Sequence, residues 1–440
     1  MPKKAKRGVP TIRRVVIGLA FLSAIACATA PRNAKAQTPS PAIGASDIGG
    51  VVSGPHGPEA GVWVIAESVE LPTRFAKIVV TDDLGRYVIP DLPAVNYTIF
   101  VRGYGLVDSP RFRVKPGEHI DLPAIPAPDA AAAAHYYPAI YWYSMLKMPP
   151  ESELGGSRID WLKQMKNIGC IGCHQIGQEA TRTIPAQFGQ FASGEEAWAR
   201  RLQSGLAGTE MTREAGSFGG APLKYLGDWT DRIAQGALPK RQPPRPQGLE
   251  RNLVITTWDW GTPHTYMHDL ISSDERNPTV NAYGRLFGSP EYSSDDMAIL
   301  DPKTNTTTFF KMPVRDQTMP EVPGFGFTLA SLQPSAYWGD EKIWSTRANN
   351  HNAMIDDQGR VWLAAAIRGV ENPAYCRKGS NLPQRRHFRS TNRLVKRRFL
   401  TLKRWPTRLL THAFQPIIRA SATTGTIHSG SAVPDRSRDG

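Results

Sequence analysis

The chain has 440 residues, with 53 Lys and Arg against 39 Asp and Glu and a formal charge of +14. That surplus sits at the two ends. Residues 1–36 hold eight basic and no acidic residues and residues 384–440 hold thirteen basic against two acidic, which leaves the middle at −5. A mildly acidic middle excludes the basic footprint of a nucleic-acid binder. At ~150 residues per domain, the length allows about three domains.

Lys3, Lys4, Lys6, Arg7, Arg13 and Arg14 precede an apolar run from Val15 to Ala28, and Ala34-Lys35-Ala36 follows as a small-x-small cleavage site. Residues 1–36 therefore read as an export signal, with a mature chain that starts near Gln37 and is periplasmic or secreted. The apolar run is shorter than the roughly 20 residues that a spanning helix needs, so the protein is not expected to span a membrane. Arg13-Arg14 leaves the twin-arginine route open, and Cys27 leaves a lipid anchor open. Beyond the signal, Cys170, Cys173 and Cys376 remain, an odd number for an exported chain.

Residues 47–124 alternate apolar and polar in short runs: Gly61 to Ala66, Lys77 to Thr81, Arg86 to Ile89, Tyr97 to Arg102 and Arg111 to Val114. Asp83-Leu84-Gly85 and Lys115-Pro116-Gly117 supply turns between them. The pattern predicts a small all-β antiparallel sandwich. The run Ile48 to Val64, with Thr81 to Tyr87, Leu92-Pro93-Ala94 and Tyr97, resembles the carboxypeptidase regulatory-like domain, a prealbumin-like module grouped with carbohydrate-binding-like folds. Val95 stands where that family has Gly, so a wider turn is expected there. Residues 125–156 read as a linker. Its aromatic cluster, His135-Tyr136-Tyr137 with Tyr141-Trp142-Tyr143, is expected to pack as a seam between domains, a sugar-stacking platform being the alternative.

Residues 157–238 carry helical periodicity. Ser157 caps a helix through Ile168 with Ile159, Leu162 and Met165 on one face, a second helix runs from Gly194 through Leu206, and a third from Leu223 to Gln235. Between the first two lies Cys170-Ile171-Gly172-Cys173-His174. This C-x-x-C-H spacing presents two sulfurs to the vinyl groups of haem c and an imidazole to its iron. A dithiol site lacks its βαβ setting, and a zinc site has only the distant Cys376 as a further thiol. The order of helices and motif resembles a small class I cytochrome c domain, in which the first and last helices cross beside the haem. The resemblance implies one covalent haem c per chain. It also implies Met211, in the loop before the last helix, as the second iron ligand opposite His174, with a Met packed in the core as the alternative. Arg182 and Pro185 are placed where the haem propionates and edge would lie, with ordinary loop roles equally open.

From residue 251 to 383 short strands return, at Leu253 to Asp259, Met297 to Leu300, Thr306 to Phe310, His351 to Ile355 and Val361 to Ala366. They read as hairpins spaced near the ~45 residues of propeller blades. His351-Asn352 with Asp357-Gln358-Gly359-Arg360-Val361-Trp362 resembles blades of streptogramin-lyase-like propellers, which implies an incomplete β-propeller here. His264, His268, Asp269, His351 and Asn352 are candidates for a metal or substrate site, without an assigned catalytic role. No Asp or Glu occurs between Glu371 and Asp435. The basic tail, residues 384–440, therefore reads as an out-of-frame or disordered end, or as a native tail for an anionic partner.

The expected function is a periplasmic c-type cytochrome that exchanges electrons with a redox partner protein and is coupled to a substrate bound at the propeller. The alternative is a module that binds polysaccharide or a cell surface, with a redox-sensing haem domain.

Overall fold

The computed structural model describes residues 39–204, 208–218, 220–262, 265, 267–274, 276–291, 293–314, 346–366 and 397–402. The expected signal, Cys27, His264, Cys376 and most of the basic tail lie outside them. The chain divides between Pro39 and Ser40 into two compact units, and all that follows concerns the second. Its fold is β-rich and built in successive parts.

The first part contains β1 (Ile48–Gly54), β2 (Gly57–Pro58), β3 (Trp63–Ser68), β4 (Arg74–Val80), β5 (Arg86–Ile89), β6 (Tyr97–Arg102), β7 (Leu106–Val107), β8 (Phe112–Val114), β9 (Leu122–Pro123) and β10 (Ile125–Pro126). β1 pairs antiparallel with β5, in register Ile48 with Ile89, and β9 runs parallel to β1. β4, β3, β6 and β8 form a facing sheet. Successive side chains of a strand point to opposite faces, so Val64 and Ala66 on β3 meet Tyr97, Ile99 and Val101 on β6 in a core closed from the other side by Ile48, Val52, Tyr87 and Ile89. The turn at Val95 is tight, not wide. The Val95 amide donates to the Pro93 carbonyl at 2.8 Å, and the Tyr97 hydroxyl donates to the same oxygen at 3.0 Å.

The expected linker carries structure of its own. β10 pairs with β7, Asp129 caps α1 (Ala130–Ala134), and α2 (Ala139–Tyr143) follows. The aromatic cluster packs as a seam. Tyr137 stands edge-on between Tyr104 of the sandwich at 6.2 Å and Tyr141 at 6.1 Å. Tyr143 reaches the other way and donates from its hydroxyl to the Met165 carbonyl at 2.5 Å.

In the helical part, Ser157 caps α3 (Arg158–Lys163) in a capping box with Asp160. The expected helix through Ile168 changes character after Lys163, because Gln164–Ile168 widens into a π-helical turn. α4 (Cys170–Cys173), α5 (Glu179–Arg182), α6 (Gly194–Leu202), α7 (Gly208–Gly216) and α8 (Ala221–Ala234) complete it. Trp161, Met165, Trp198, Phe218, Leu226 and Trp229 form its core. The closest crossing joins α6 to α8, whereas the resemblance implied the first and last helices. A Cβ on Gly227 would stand 2.6 Å from the Glu195 nitrogen and the Gly194 carbonyl carbon, so the two backbones touch there.

The chain then returns to the sandwich. β11 (Ile255–Asp259) was expected to begin a hairpin of the next part, but it pairs antiparallel with β4 along its whole length, Ile255 opposite Ile78 and Asp259 opposite Arg74. Trp258 explains the preference. Its ring meets Phe75 edge-on at 6.0 Å and its Nε1 donates to Asn305 Oδ1 at 2.8 Å.

Next comes an antiparallel sheet in chain order, β12 (Asp269–Ile271), β13 (Leu286–Ser289), β14 (Asp296–Asp301) and β15 (Thr306–Lys311). A second sheet holds β16 (His351–Ile355), β17 (Val361–Ala366) and β18 (Arg397–Leu402). Both are open sheets, and they share a core of Met297, Phe310, Met312, Ile355, Val361 and Leu363. Two of the expected hairpins, β14–β15 and β16–β17, are present. β18 comes from the basic tail, so six residues of a segment read as structureless pair along β17.

One turn is used twice. In Asp82-Asp83-Leu84-Gly85-Arg86 and Asp356-Asp357-Gln358-Gly359-Arg360, the first carboxylate accepts from the amides two and four residues on and from the arginine Nε. Partial burial of Asp356 opposes its charge. The Trp362 indole, the Arg360 amide and guanidinium and the Gln358 amide outweigh that burial and hold its pKa at about 2.

Two predictions follow from these contacts. Gly227→Ala must force the α6–α8 crossing apart and should lower stability by about 1–3 kcal/mol, read as a lower midpoint in thermal circular dichroism; an unchanged midpoint would contradict the crossing. Because the Asp356 pKa is depressed on folding, its contribution is complete above the unfolded value of roughly 3.9 and is lost as pH falls toward 2. Asp356→Asn should therefore destabilise at neutral pH and flatten the acid limb of the stability profile, measured by urea melts at several pH values.

Candidate functional site

The C-x-x-C-H segment begins where the π-turn ends. The Gly169 amide donates to the Gln164 carbonyl at 3.1 Å, and Cys170–Cys173 then make a single helical turn. The His174 amide donates to the Cys170 carbonyl at 3.0 Å, after which His174 leaves the helix with extended backbone at φ −126° and ψ 136°. Cys170 packs against the aromatic core of the helical part.

His174 is solvent-exposed. Desolvation by the surrounding protein, and then the Arg201 guanidinium, push its pKa below the usual imidazole value, which favours the neutral ring at neutral pH. Arg201 is fixed in turn by donating to the Thr183 and Ala180 carbonyls.

The loop after the motif is tied to the aromatic seam. Gly177 has φ +104°, and a Cβ there would fall 2.0 Å from the Ala139 carbonyl oxygen, so only glycine lets the loop lie against α2. Arg182 is buried. It donates to the Gly177 carbonyl at 2.9 Å and lies over the Trp142 ring at 4.2 Å. Its role is therefore to brace the loop. Pro185 opens the short 3₁₀ turn Ala186–Phe188.

Met211 is half-buried on α7, a helix where the sequence suggested a loop. α7 packs against both α6 and α8. The helix was hard to foresee because Gly208 to Gly216 is polar at most positions and bounded by glycines.

The donor set suits a covalent haem c: two cysteines three apart in one helical turn, a histidine next in sequence with its pKa lowered, and Cys170 packed against a core that includes Trp161, Trp198 and Phe218. The zinc alternative rests on Cys376, which lies outside the described residues.

Of the second group of candidates, the structure brings together His268, Asp269, His351 and Asn352. Glu291 joins them. It lies just past β13 after Pro290, where no periodicity marks it. On the sandwich, a cleft of about 320 Å³ is lined by Glu67, Glu70, Arg111 and Arg113, whose charges pair with one another, Arg111 with Glu67 at 3.0 Å and Arg113 with Glu70 at 2.8 Å. Tyr97, the aromatic residue in its lining, is buried and offers no stacking face.

Compared with known proteins, the chain matches no family model and no curated protein.

Proposed function

We propose that the protein is an exported c-type cytochrome, in which a cytochrome c-like helical part stands between a regulatory-like sandwich and a propeller-like part, and which exchanges electrons with a redox partner protein. The observation that carries this reading is the single helical turn Cys170–Cys173, with Cys170 packed against the aromatic core and the His174 backbone leaving the helix directly after it. Bound haem c supplies reversible one-electron chemistry at its iron. Cys170 and Cys173 would hold the group through two thioether links, and His174 and Met211 would supply ligands to its iron. Arg182, Gly177 and Thr181 keep the following loop in one conformation, which fixes the backbone that positions His174. Coupling to a substrate at the propeller-like part belongs to the same proposal. The rival reading, a polysaccharide-binding module, finds less support, because the aromatic residues at Tyr137, Trp142 and Tyr143 are engaged in packing and the sandwich cleft is closed by its own ion pairs.

Chain produced in a host that attaches haem covalently should keep its colour through acid-acetone extraction, and intact mass should show one added porphyrin. Cys173→Ala should lose one link and much of the coloured protein. Colour that leaves with the solvent defeats the reading. A thioether ligand raises the reduction potential and blocks the iron, so Met211→Ala should lower the potential and let cyanide bind. An unchanged potential would remove Met211 from the iron.

A further inference from the structure

Two imidazoles and two carboxylates converge where the two open sheets meet. His268 and Asp269 stand at the start of β12, Glu291 just beyond the end of β13, and His351 at the start of β16. The two imidazole rings lie edge-to-face with centroids 4.6 Å apart. Glu291 Oε2 is 3.4 Å from His268 Nδ1 and 3.2 Å from His351 Nε2, and Asp269 Oδ2 is 3.7 Å from His351 Nε2. One ligand atom from each of His268, Asp269 and His351 lies within 4.8 Å of the other two.

These separations are informative. Ligand atoms about 2.1 Å from a tetrahedrally coordinated ion stand about 3.4 Å from one another, and the Glu291–His268, Glu291–His351 and Asp269–His351 separations of 3.4, 3.2 and 3.7 Å are of that size. The Glu291 side chain is only 2% exposed, so its carboxylate is withdrawn from water and held against both imidazoles. Asp269 Oδ1 is buried without a hydrogen-bond partner among the described residues, while Asp269 Oδ2 is held by the Asn352 amide at 2.7 Å. That amide orients the carboxylate as outer partners of metal ligands do.

We infer that His268, Asp269, Glu291 and His351 bind a divalent first-row transition ion of the zinc type, which clamps the two sheets together. Two neutral imidazoles with two carboxylates match the charge of such an ion. Nitrogen donors favour it over magnesium or calcium, and the lack of sulfur disfavours copper(I). With four protein ligands the site is closed, so its role is structural. The inference does not depend on the haem reading, because its ligands come from other elements and its test reads zinc and cobalt and not iron.

The test uses the full chain, stripped with a chelator and titrated with Zn²⁺ by calorimetry, with Co²⁺ as a spectroscopic probe. One Zn²⁺ should bind per chain and raise the melting temperature, and Co²⁺ should give the intense visible bands of four-coordinate nitrogen and oxygen ligation. Loss of an outer partner costs such sites about 10–100-fold in affinity, so His351→Ala should cost at least about 100-fold. His351→Cys, which restores a ligand atom, should recover most of that loss and show that His351→Ala did not act by unfolding. No binding by the stripped chain overturns the inference. So does affinity that survives His351→Ala, which would remove His351 from the ion, or a thiolate-to-cobalt charge-transfer band in the unsubstituted chain, which would place the ion on cysteine.

Discussion

The pairing of β11 with β4 governs the arrangement of everything between them. β4 ends at Val80 and β11 begins at Ile255, so the linker and the whole helical part, including the C-x-x-C-H turn, form an excursion between two neighbouring strands of one sheet. Closing so long a loop costs little more entropy than closing a short one, because the cost grows only with the logarithm of its length. Backbone hydrogen bonds and Trp258 oppose that cost. The return path is fastened as well, by Arg245 to Glu59 at 2.6 Å and by Arg251 to Asp83. The candidate haem turn is thereby tethered to the sandwich at both ends.

The aromatic seam complements this closure. Tyr136 and Tyr137 face the sandwich, where the Tyr136 hydroxyl accepts from the Asp108 amide at 3.2 Å and Arg102 lies over its ring at 5.2 Å. Trp142 and Tyr143 face the helices, where the Trp142 carbonyl accepts from Trp229 Nε1 at 2.9 Å. Amphipathic rings suit such a boundary: the Tyr136 and Tyr143 hydroxyls both find partners, while Trp142 contributes apolar area, its Nε1 being buried without a hydrogen-bond partner among the described residues. The loop that follows His174 leans on this seam through Gly177 and Arg182, so the backbone beside the candidate iron ligand inherits its rigidity from a distant sheet.

Much of this was legible in the residues, and what was not shares a physical cause. Turns written as Asp-Asp-x-Gly-Arg and the Ser157 cap depend on neighbours a few positions away, and each formed where the sequence placed it. Ile255 to Asp259 read correctly as a strand, but alternation does not say which sheet a strand joins; Phe75 and Asn305 decide that, and both are remote in sequence. The π-turn at Gln164–Ile168 and the α6–α8 crossing likewise depend on tertiary packing. Glu291 carried no local signal, and its place beside His268 and His351 appears only once two sheets meet.

The late arrival of β11 leaves β4 in a particular position while the chain is being made. Its outer row of amides and carbonyls has no neighbour until residue 259 has emerged, about 180 residues after β4 itself, which at typical synthesis rates is roughly ten to forty seconds. A bare strand edge of that kind templates association with other chains. The nascent protein therefore passes through an aggregation-prone interval, and its yield depends on whatever shields that edge until the missing strand docks.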